Sequence, residues 1–78
     1  MSIPDIDKIR VLLPHWLEHN QSHRAEFGRW AEVARGAGLA EVAELIEQAM
    51  AKMAAVDVLL ARALEKAGGK VAGHEHHH

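Results

Sequence analysis

Apolar residues recur every three or four positions along most of the chain, the signature of amphipathic helices rather than strands. Ile6, Ile9, Leu12 and Leu13 open the pattern and predict a short first helix. Ser2 and Asp5, on either side of Pro4, offer a start signal for it. Pro14 interrupts the run. A proline clashes with the turn before it and restricts its predecessor, so the pattern predicts a break there. The main helix would then begin near the proline, although neither Leu12 nor Leu13 is a good polar cap.

Beyond Pro14, the positions Leu13, Trp16, Leu17, Phe27, Trp30, Ala31 and Ala34 fall mostly on one helical face. Asn20 and Arg24 share that face. A short amide in an apolar stripe needs hydrogen-bond partners once buried, whereas Arg24 can pack its stem and keep its charge in water. Gly36 and Gly38 end the helix and turn the chain. A second helical pattern runs from Leu39 to Ala67, with Leu39, Val42, Ala43, Ile46, Ala49, Met50, Met53, Leu60 and Leu64 in its inward stripe. Asp57 lies within that stripe, where a carboxylate is costly unless it sits at a rim, is paired, or binds a metal. Gly68 and Gly69 close the helix.

The pattern therefore predicts an all-α fold, an antiparallel helical hairpin with a short N-terminal helix. The helical domain occupies residues 1–69, and residues 70–78 form a flexible His-rich tail. His74, His76, His77 and His78 fit either a native metal-scavenging tail or a purification tag; Glu75 interrupts the run. A chain of 78 residues buries a modest fraction of its surface. Much of its apolar content is alanine, which favours helices but supplies little bulk for a monomeric core. Dimerisation into a four-helix bundle is therefore expected.

The net charge of -2, with no basic patch, argues against a nucleic-acid partner. Charges in the first residues argue against a signal peptide, and the apolar runs are too short for a membrane span. A cytoplasmic protein is expected. Without cysteine, any metal must be held by imidazole, carboxylate or water.

The strongest chemical signal is His15, His19 and His23, spaced by four residues. Imidazoles at i and i+4 share a helix side and can chelate one ion. Three such residues span about 12 Å along the axis, so one ion with bonds of about 2 Å cannot hold all three without distortion. His19 and His23 are the expected principal ligands, His15 an auxiliary one, and Asp57 or Glu26 an oxygen ligand. A symmetry mate could also complete the site. In an antiparallel hairpin, His19 falls opposite Val56, His23 opposite Lys52 or Met53, and His15 opposite Leu60, with Asn20 within a turn of Asp57. The cofactor expected on these grounds is a divalent transition metal, nickel or zinc. Against it stands a plainer reading, a helical protein–protein interaction module whose histidines serve packing or recognition. Trp16 and Trp30 would anchor the hairpin or the dimer, and Met50 and Met53 would fill core. Ser22 adjoins His23 but nothing activates it, and no concave pocket is implied, so an enzyme is not expected.

The run LLPHWLEHNQSHRAEFGRWA, together with the helix ending near AGG and the His-rich tail, resembles a little-characterised prokaryotic helical domain. That domain is associated with the small nickel-accessory protein of carbon monoxide dehydrogenase maturation. The resemblance rests on Pro14, His15, Trp16, Glu18, His19, Asn20, His23, Phe27, Trp30 and Ala31, and covers nearly all of the chain. It implies a metal-related accessory or carrier role, with nickel, beside a metalloenzyme-maturation protein. The β-rich nickel-accessory domain itself is absent here, so any ligand belonging to it has no counterpart in these residues.

Overall fold

The computed structural model describes residues 3–71, so the tail histidines lie outside the described residues. Two helices account for nearly all of it: α1, Asp5–Gly36, and α2, Ala40–Ala67. The described residues contain no strand. The two helices pack as an antiparallel hairpin, as the apolar periodicity predicts.

The expected short N-terminal helix is not separate. Helix α1 runs without interruption for 32 residues, with Pro14 inside it. An internal proline costs about 3 kcal/mol, because it removes one helical hydrogen bond and crowds the preceding turn. A break would leave further backbone donors open, and Leu12 and Leu13 have no polar side chain to cap them. Burial of Leu13, 4% exposed, also holds the chain in register across the proline. The start is marked by Pro4 at the N-cap, where no side chain caps the helix; Asp5 and Asp7 in the first turn complement its dipole.

Both helices stop by the same device. Leu39 N–H donates to Ala34 O at 2.8 Å and Gly38 N–H to Arg35 O at 3.1 Å, a Schellman closure. At the end of α2, Gly69 N–H donates to Leu64 O and Gly68 N–H to Glu65 O in the same pattern. Gly38 (φ 81°) and Gly68 (φ 109°) take the left-handed backbone that this closure requires. Arg10 then ties the two chain ends together. Its guanidinium donates to the carbonyls of Gly69 (2.7 Å), Lys70 (3.1 Å) and Gly68 (3.3 Å), capping α2 with positive charge.

The core is narrow. Among the described residues the buried apolar ones are Leu13, Ala31, Ala34 and Ala43, and no large side chain is fully buried. Small residues let the helices approach closely near the loop. At Gly28 a Cβ would come within 3.2 Å of Met50 Cε. Contacts between Gly28 and Met50, Asn20 and Asp57, and Arg35 and Glu47 set the register. Asn20–Asp57 and Gly28–Met50 lie within a turn of the sequence estimate, whereas Arg35 reaches Glu47 about two turns from its estimated level.

Much larger apolar side chains remain outside. Trp16, Trp30, Leu45, Val56 and Leu59 are 45–65% exposed. At 100° per residue, Leu12, Trp16, His19, His23 and Trp30 share one flank of α1. Val42, Leu45, Val56 and Leu59 share one flank of α2. Antiparallel packing puts these two flanks on the same side of the hairpin, and a shallow groove lined by Trp16, His19, His23 and Leu60 joins them. The opposite side carries the Arg35–Glu47 pair and, further along, Gln21 beside Val11, Leu17 and Leu64.

Candidate functional site

The three histidines of α1 are all exposed and follow each other along the helix. Ring centroids of His15 and His19 lie 4.7 Å apart, tilted by 52°, and those of His19 and His23 lie 6.0 Å apart. His23 in turn stacks over Phe27 at 6.2 Å. Four-residue spacing in an α-helix brings successive rings within reach, so the ladder follows directly from the sequence. His15 stands somewhat apart. Besides the shared groove with Leu60, it lines a second depression with Pro14, Leu17, Glu18 and Gln21 on the other side of α1.

The oxygen ligands expected from the sequence are not gathered at these rings. Asp57 is 8% exposed and is held between helices, where its Oδ1 accepts a 2.8 Å hydrogen bond from Asn20 Nδ2. Arg24 Nη2 lies 3.2 Å from its Oδ2. That approach brings the charges together without hydrogen-bond alignment, so Asp57 Oδ2 and Arg24 Nε remain buried without a hydrogen-bond partner. Glu26 is engaged on its own helix, accepting from Arg29 and, at 3.3 Å, from Trp30 Nε1. Among the described residues no group of three or more histidines and carboxylates converges as metal ligands do. A single hairpin thus offers two neighbouring imidazoles, not a complete coordination sphere.

One side chain behaves differently from its sequence reading: Arg24 turns its guanidinium inward to Asp57 instead of keeping it in water. Trp16 and Trp30 stand largely outside the hairpin core, so of their two expected anchoring roles burial within the hairpin is not the one seen. Asn20 does find the partner that a buried amide needs. The Arg24–Asp57 pairing was only partly legible: opposite charges occupy facing apolar stripes, but the estimated register set them more than a turn apart. Arg10 gave no such sign: its partners are backbone carbonyls 58 to 60 residues further along the chain.

A family profile described as Domain of unknown function (DUF8180) matches residues 9–67. No curated protein and no solved structure matches the chain. The matched stretch begins before Pro14 and takes in both helices and the turn, including the histidine ladder and the Asn20–Asp57–Arg24 cluster.

Proposed function

We propose that this chain, which belongs to the family described as Domain of unknown function (DUF8180), is a non-catalytic helical interaction module that works by pairing with a second copy of itself. The observation carrying this reading is the row of half-exposed tryptophans on α1 beside the exposed leucines and valines of α2 on one side of the hairpin. An aromatic side chain buries about 150–250 Å² when covered. Two half-exposed tryptophans with the aliphatic row of α2 therefore offer an area of the order of the roughly 800 Å² that each partner buries in a stable interface. The internal core, by contrast, holds one leucine and three alanines. Two such hairpins stacked face to face make a four-helix bundle with an ordinary apolar interior.

Sedimentation equilibrium on the full chain tests this. The expected mass at about 100 μM is that of a dimer, with Val56→Glu and Leu59→Glu shifting it to the monomer, since each would bury an unpaired carboxylate. A monomer at that concentration for the unsubstituted chain would sink the reading.

The second reading, a divalent-metal accessory protein, draws support from the 4.7 Å and 6.0 Å spacing of the rings. All three imidazoles are exposed, so an ion in solution can reach them. The self-association reading ranks first because two imidazoles hold an exposed ion weakly, whereas the apolar face needs covering whether or not metal is present. An acid–base role for Glu18 would have only an open depression shared with His19, Ser22 and His23, and Glu26 is engaged by Arg29 and Trp30.

A further inference from the structure

Building on the self-association reading, we infer that His19 and His23 form half of a divalent transition-metal site that the same two residues of a second copy complete. Three observations converge on it. The first is the number of donors. A metal–nitrogen bond of about 2.0–2.1 Å sets two chelating rings with centroids about 5 Å apart at a tetrahedral angle. His19 and His23 stand at 6.0 Å, within a small side-chain rotation of that spacing. One hairpin supplies no third ligand among the described residues, so four-coordination requires ligands from outside it.

The second observation is position. Along the outward flank of α1 the order is Leu12, Trp16, His19, His23, Trp30: a polar pair between apolar ends. Covering this flank removes water from two imidazoles, which must then find partners.

The third is self-complementarity. A two-fold contact is isologous, so residue i meets j while j meets i. When two copies of α1 cross antiparallel, level with residue 21, His19 faces the second copy's His23. Leu12 then faces Trp30, and Trp16 faces Glu26, which already accepts from an indole in its own chain. Apolar meets apolar at the ends, and imidazole meets imidazole at the centre. Four ring nitrogens there match the tetrahedral preference of zinc-like ions.

His15 is the wrong member of the ladder for this site, although its ring is nearer to His19. It lies about 80° around the helix from His23, lines both grooves, and in the antiparallel crossing faces the second copy's Phe27 rather than an imidazole. Asp57 is kept from the rings by its burial between the helices, with Asn20 on Oδ1 and the Arg24 charge beside Oδ2.

The test is zinc titration by calorimetry and sedimentation on the full chain with His74, His76, His77 and His78 replaced by alanine, so that the tail cannot bind the metal. The expected result is one zinc per two chains and a dimer tightened at least tenfold by zinc. His19→Ala and His23→Ala abolish both effects, whereas His15→Ala leaves both. Cobalt(II) in place of zinc should give the visible absorption of a tetrahedral site. A dimer that zinc leaves unchanged would overturn the shared site while leaving self-association intact. One zinc per chain, lost in His15→Ala, would overturn it in favour of a local chelate. A monomer with and without zinc would overturn both the site and the reading it rests on.

Discussion

At the scale of single residues, the hairpin is held in register by a carboxylate that most cores would exclude. Asp57 has one oxygen satisfied by Asn20 and the other close to Arg24. Removing one partner of a buried pair costs more than the pair contributes, because the remaining charge is left dry. Arg24 keeps 30% of its side-chain surface in water, which reduces that penalty. Asp57→Ala should therefore lower stability by about 2–3 kcal/mol, measured by urea denaturation at fixed protein concentration. Replacing Asn20, Arg24 and Asp57 together by leucine should recover much of the loss, since no charge or amide is then stranded. A register chosen by polar contacts is also a register that apolar slippage cannot easily replace. The histidines show the other side of residue-scale reasoning. Their spacing was readable from four-residue periodicity, but whether carboxylates join them depends on partners such as Arg24 and Arg29 that periodicity does not assign.

At the scale of elements, α1 outlasts its proline. Local propensity argues for a break at Pro14, and the lost hydrogen bond is real. Continuity prevails because a second N-terminus would expose further donors with no cap, while burial of Leu13 is available only if the axis continues. Pro14→Ala should accordingly stabilise the fold by about 1–3 kcal/mol and increase helicity, as judged by circular dichroism and thermal melts. Unchanged or lower stability would mean that the proline relieves a strain in α1 that the contacts do not reveal. The turn, in contrast, was legible from Gly36 and Gly38 alone. A Schellman closure needs a left-handed residue at one position, and glycine meets that need at the least steric expense.

At the scale of the whole molecule, the hairpin's two sides differ in kind. One carries the Arg35–Glu47 pair with scattered apolar residues such as Val58; the other carries tryptophan, leucine and valine in rows. No helix of the described residues is long and apolar enough to cross a membrane, so these rows are not a bilayer span. If association completes the core, folding and pairing are linked by mass action. The melting temperature should then rise by several degrees over a hundredfold increase in protein concentration, in scanning calorimetry or dichroism. A melting temperature independent of concentration would indicate a hairpin that is stable alone. The same experiment on Leu59→Glu should remove the dependence.

Sequence by itself determined what is local and periodic: two helical patterns, their glycine ends, the antiparallel return, and the ladder of His15, His19 and His23. These follow from a repeat of 3.6 residues and from backbone angles that few residues adopt. Tertiary structure decided what depends on two helices meeting at a given height and rotation. It carried α1 through Pro14, turned Arg24 inward to Asp57, and sent Arg10 to the far end of α2. It also left both tryptophans outside, because they sit about 60–100° around α1 from the buried Leu13 and Ala31.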